Sequence, residues 1–205
     1  MEKLQIAHSD TENQNSDLEK ILKAKDEFYD TTKKHMFFKN AQKRECAEAI
    51  CNKIGLVDLM DNTFWIVPNK DEMYFDYRVF KLYGTPANYG EIVDNVLRFC
   101  SWCVSEYGTF EIHVNLASFT VSAAERYRDI IVYFCDESVK RDTMFSETMR
   151  YMNIYNVPSC VDQISKLLLP LIPPEVRKKI RLFRKEQSTE ILSKLYEESG
   201  KTYCP

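Results

Sequence analysis

The chain has 205 residues, 44% apolar and 29% charged, which predicts a globular protein built on one core with short extensions. Twenty-eight Lys and Arg against 31 Asp and Glu give a net charge of −3, which excludes nucleic-acid binding by bulk charge. Five scattered glycines (55, 84, 90, 108 and 200) leave no GxGxxG or GxxxxGK[ST] phosphate cradle.

The first seventeen residues contain no apolar run of signal-peptide type, and no segment approaches 18 uninterrupted apolar residues. We expect a soluble, cytoplasmic protein. Seven cysteines (46, 51, 100, 103, 135, 160 and 204) form an odd set without the dense spacing of a disulfide scaffold, and read as reduced thiols.

In chain order, residues 1–15 are polar and read as a mobile tail. Ser16 and Glu19 make a capping-box signature for a helix to about Thr32, and a second helix from Ala41 to Lys53 stops at Gly55. These two form a small N-terminal helical subregion, residues 16–60, ahead of an α/β domain over 61–205. Phe64 to Val67 reads as a strand and Met73 to Leu82 as a second, aromatic-rich one. Asn88 with Glu91 opens a helix that runs to a cap at Gly108. Phe110, Ile112 and Val114 alternate with Glu111, His113 and Asn115 as a strand does, and Ser122 with Glu125 boxes the next helix. Met149 to Val157 is a strand halted by Pro158, followed by a very apolar helix from Val161 to Ile172 that Pro173-Pro174 breaks. A strand near Lys179 to Phe183 and a helix from Ser188 to Glu198 complete a mostly parallel α/β sheet flanked by helices.

Positive signs of catalysis are missing. Cys100-Ser-Trp-Cys103 has redox spacing but falls in mid-helix, away from the helix N-terminus that lowers a thiol pKa. Four-ligand zinc spacing is missing, as is a Gly-x-Ser-x-Gly elbow, and His8, His35 and His113 have no evident nucleophile to serve. We expect no enzyme, metal or cofactor. Two features stand out: the Val161 helix, apolar on nearly every side, and Arg177, Lys178, Lys179, Arg181, Arg184 and Lys185 directly after it, a surface for anions or membranes.

These segments together resemble the CRAL-TRIO family of lipid-binding and lipid-transfer domains. Phe110 to Ser118 is similar to the family's strand ending in an Asp-Leu-x-Gly turn, with Asn115 and Ser118 in place of Asp and Gly. Tyr155-Asn156-Val157-Pro158 resembles its Asn-Ala-Pro strand end; the apolar helix and Lys178-Lys179-Ile180 follow as its lipid gate and floor edge. The resemblance spans about residues 63–200 and leaves out the family's usual N-terminal module. It implies a phospholipid, with a phosphoinositide among the candidates, between sheet and gate, with the headgroup near Glu147 and Lys179. Val161, Ile164, Leu168 and Leu171 then face Phe110, Ile112, Val114, Tyr151 and Asn153 across the pocket. The rival expectation is a filled pocket and a scaffold, in which the N-terminal helices or the aromatic strands (Tyr74, Phe75, Tyr77 and Phe80) bind a protein or a second copy.

Overall fold

The computed structural model describes residues 12–32, 39–141 and 145–201, with side chains from Leu18 and, after the first gap, from Asn40. Most of the expected tail, together with His8, His35 and Cys204, lies outside these residues. Helix α1 (Glu12–Thr31) begins four residues before Ser16, α2 (Lys39–Ile54) runs alongside it, and α3 (Leu56–Thr63) follows Gly55, whose φ of 97° makes the corner. α3 leads straight into β1 (Phe64–Ile66), which turns at Pro68 to Asp71 and pairs antiparallel with β2 (Glu72–Asp76).

The expected strand from Met73 to Leu82 is corrected here: β2 ends at Asp76, and Tyr77–Tyr83 form helix α4. The Asp76 carboxylate accepts from the Arg78 backbone N–H at 2.8 Å and so caps α4, while Tyr77, Phe80 and Tyr83 recur at helical spacing and are buried. Tyr74 is buried too and Phe75 half-buried, so this segment presents no aromatic strand surface to a partner.

Helix α5 (Tyr89–Tyr107) ends as expected at Gly108 in the left-handed region, φ 77°. Next come β3 (Phe110–Asn115), α6 (Val121–Arg126), α7 (Arg128–Lys140), α8 (Phe145–Thr148) and β4 (Met149–Tyr155). Helix α9 (Val161–Leu168), a tight turn Leu169–Leu171, α10 (Pro174–Arg177), β5 (Ile180–Leu182) and α11 (Lys185–Glu198) close the chain. The strand order is β1-β2-β3-β4-β5, with β2 to β5 parallel. An α/β fold with a mostly parallel sheet is therefore present.

Cross-strand register sorts the side chains into two faces. Ile66, Met73, Ile112, Met152 and Ile180 form one row, and Phe64, Phe75, Val114, Ile154 and Leu182 a second, on the face toward α5, α6, α7 and α9. Trp65, Tyr74, His113, Asn153 and Arg181 form a row on the opposite face, and α11 packs against part of that face. Two apolar clusters occupy the first face. One gathers α1, α2, α3, α4 and α6 with Ile164 of α9; the other gathers α5 and α8 with Met73, Phe110 and Met149. The N-terminal helices thus share a core with the α/β part.

Candidate functional site

The site is defined by what the two clusters leave uncovered. Inner strands of a parallel sheet are ordinarily buried on both faces. Here Val114 and Ile154, register partners on the two strands β3 and β4, are only half-buried, and among the described residues they pack in neither cluster. Along their row, exposure runs from 6% at Phe64 to 51% at Leu182. Ile112 and Met152 in the neighbouring row are half-buried as well.

On this side of the sheet, the lid helix α9 packs mainly on other helices. Ile164 is buried in the cluster around α4 and α6, Leu167 and Leu168 pack against the same cluster, and the following turn lies on α7. The closest neighbours of α9 are therefore helices rather than strands. α7, which follows α6 directly, has no fully buried residue although it carries Ile130, Ile131 and Phe134. Val114 and Ile154 thus keep part of their apolar surface accessible.

Each expected lining residue can now be placed. Ile112 and Val114 lie on the floor; Val161, Leu168 and Leu171 are half-buried on the lid side, and Ile164 anchors the lid. Phe110 is 1% exposed, edge-on to Phe145 with ring centroids 5.5 Å apart, and serves the core rather than the open strip. Tyr151 and Asn153 are corrected: they project from the opposite face. The register slips between Phe110 and Ile112, so that Ile112 pairs with Met152, and side-chain alternation then turns Met152 and Ile154 to the floor. Phe75, Met152, Ile154 and Leu182 are floor residues that sequence reasoning passed over. Their signal is the alternation Met152-Asn153-Ile154, counted from the bulge instead of from Met149.

Tyr151 instead lies under Arg181, whose guanidinium carbon is 3.2 Å from the ring centroid. Asn153 donates to a Glu111 carboxylate oxygen, and the ring of His113 is hydrogen-bonded through Nδ1 to the Tyr155 hydroxyl at 2.8 Å. Burial pushes the Tyr155 phenol well up, so it remains protonated at neutral pH. Arg150 ties this face to the turn before β2 through Asp71 at 2.8 Å.

The expected headgroup pair also reads differently. The Lys179 ammonium donates to the backbone carbonyls of Ser146, Glu147 and Met149 at 2.8, 3.1 and 2.6 Å. A lysine has three donor hydrogens, so its donors are committed to holding α8 and the start of β4 against β5. Glu147 contributes its carbonyl to that clasp and leaves its side chain exposed. Arg177, Lys178, Arg181, Arg184 and Lys185 are all exposed. Arg177 donates to the Ile172 carbonyl at 2.7 Å and Lys178 pairs with Glu175 at 3.0 Å. Arg184 is the N-cap of α11.

The strand ends that carry the family resemblance are joined to one another. Asn115 accepts through Oδ1 from the Ala117 backbone N–H at 3.1 Å and from Asn156 Nδ2 at 2.8 Å. Ser118 has φ 67°, a left-handed conformation in which glycine costs least, and Asn156 has φ 53°. The Asn156 backbone N–H then donates to Ser188 Oγ at 2.8 Å, fixing the β4 end to α11.

Cys100 and Cys103 are fully buried thiols in the α5 cluster. Burial pushes the Cys103 thiol up to about 12 and Cys100 higher, the reverse of what a reactive thiolate requires. Cys46, Cys51, Cys135 and Cys160 are likewise unpaired thiols. Among the described residues no cluster of three or more His, Cys, Asp or Glu is arranged to hold a metal ion, and no helix is long and apolar enough to cross a membrane.

Comparison with known families matches residues 142–203 to the CRAL/TRIO domain. The matched segment runs through β4, the lid and β5 to α11, which includes half of the floor row and the helix above it. No curated protein matches the chain.

Proposed function

We propose, from the match of residues 142–203 to the CRAL/TRIO domain, a non-catalytic carrier of a hydrophobic ligand, held between the sheet and the α9 lid. The observation that supports this most is the half-buried Val114–Ile154 pair at the middle of the sheet, under a lid whose apolar face rests on other helices. Each methylene moved from water onto such a floor contributes about 0.8 kcal/mol, enough for one hydrocarbon chain to drive binding. No reacting group is needed for that task.

Headgroup recognition of a phosphoinositide through Lys179 is not part of this reading, because that ammonium is occupied by three carbonyls. The basic run from Arg177 to Lys185, with Leu169 and Leu182 exposed beside it, suits a peripheral contact with an anionic membrane, where ligand is taken up or released. Native mass spectrometry of the purified chain, before and after organic extraction, tests the carrier reading. We expect an adduct removed by extraction and restored by adding lipid, and loss of restoration in Leu168→Trp, which fills the space from the lid side. A bare mass that no lipid alters would instead support the filled-pocket scaffold.

A further inference from the structure

We infer that the ligand is a single-chain lipid anion, such as a long-chain fatty acid, lying across the strands with its charged end at the β5 edge; this rests on the carrier reading above. The uncovered floor is long in one direction only. From Val114 through Ile154 to Leu182 it crosses two inter-strand spacings, about 10 Å. Along the strands it is narrow. Ile112 and Met152 already pack against the α5 cluster, and Phe110 and Met149 beyond them are fully buried, so the free width is one to two rows, about 7 Å at most. A strip of that shape takes one extended hydrocarbon chain. Two chains side by side have no floor.

Direction follows from the two ends of the row. At β2 the floor stops against Phe75, which packs on Phe64 and the core, whereas at β5 it ends in Leu182, 51% exposed. A chain inserted from solvent therefore enters over β5 with its apolar tip toward Phe75. The polar end is left among the basic residues of the following turn. Between Arg177 and Glu186 the sequence has six cations, Arg177, Lys178, Lys179, Arg181, Arg184 and Lys185, against the single carboxylate of Glu186. Lys179 is committed to backbone carbonyls, Arg177 donates to one, and Lys178 pairs with Glu175. Arg184 and Lys185 immediately follow β5, are exposed, and supply donors for a carboxylate. This charge complementarity selects an anionic end group over a neutral one.

The test uses the delipidated full chain with three probes: palmitate, methyl palmitate, and dipalmitoyl phosphatidylcholine presented in vesicles and then removed. Binding is read by native mass spectrometry and by calorimetric titration. We expect palmitate at one per chain, methyl palmitate at least about tenfold weaker, and no stoichiometric phosphatidylcholine. The double substitution Arg184→Glu and Lys185→Glu should weaken palmitate by about tenfold or more and leave methyl palmitate unchanged. Stoichiometric phosphatidylcholine would overturn the single-chain inference while sustaining the carrier reading. Equal binding of acid and ester, or indifference of palmitate to the double substitution, would overturn the anionic end. Failure of all three probes to bind would overturn the inference, and with a bare, unalterable mass of the freshly purified protein it would overturn the carrier reading as well.

Discussion

Beneath α11, Tyr74 and Tyr155 are at most 2% exposed, as is Leu192 of α11 itself, whereas on the other side of the same strands Val114 and Ile154 remain half-buried. The α11 side is sealed by specific contacts. Trp65 stacks on Tyr74 with ring centroids 4.1 Å apart, and Tyr196 meets both edge-on at 5.2 Å. The Tyr196 hydroxyl donates to Asp76 at 2.8 Å, and Asp76 also pairs with Arg78 at 2.9 Å. Among the described residues the α9 side shows no comparable clasp to the strands, and its helix packs on α6 and the turn after it on α7. One sheet thus carries a face that secures the fold and a face left available, and stability and ligand binding should be separable by mutation.

The largest effect is expected where the sealed face holds buried charge. Asp76→Ala leaves Arg78, 17% exposed at its side chain, without its carboxylate and should cost about 3–5 kcal/mol, read as a lower urea midpoint. Next, Leu192→Ala, at a fully buried position, should cost about 2–5 kcal/mol. Ile154→Ala on the open face should cost less than about 1.5 kcal/mol while changing ligand retention. Equal destabilisation by these two substitutions would break the contrast between the faces. Lys179→Ala removes the donor to three carbonyls and should lower stability by about 1–3 kcal/mol without altering lipid preference. An altered preference at unchanged stability would return Lys179 to the site.

The smallest effect concerns pH. His113, with Nε2 3.5 Å from its carboxylate, holds Glu72 below the usual carboxylate range, against the opposing effect of burial, and Lys70 adds to the lowering. A depressed folded-state value contributes stability that is complete above the ordinary value of 4.5 and fades as pH falls through the lowered one. The stability difference between wild type and Glu72→Gln should therefore be constant between pH 5 and 6 on the carboxylate's account, and shrink below about 4.5 in acid unfolding curves. A difference unchanged down to pH 2 would contradict the pairing.

Much of this contrast is legible in the residues. The Gly108 cap, the alternation of β3, the apolar helix after Pro158 and the Asn-Val-Pro strand end each follow from local chemistry, and each stands where expected. α4 is not legible in the same way, because Tyr77, Val79 and Phe80 favour strands intrinsically and only the Asp76 cap and their burial against α2 and α3 make them helical. The facing of β4 depends on a bulge, a pairing property that no single strand encodes. Lys179 looks like an anion ligand until its three carbonyl partners, at least thirty residues away in the chain, are seen. The gap under α9 is the least legible of all, since Leu167 and Leu168 would be equally apolar whether they met strands or helices.

Accessibility of the floor can be measured without knowing the ligand. A thiol introduced by Ile154→Cys, in the delipidated protein, should react with a small methanethiosulfonate reagent in native buffer and be protected when lipid is bound. Cys100 and Cys103, sealed in the α5 cluster, stay unmodified in the same sample as internal standards. An introduced thiol as inert as those two would show side chains filling the room beneath the lid, and would contradict the account.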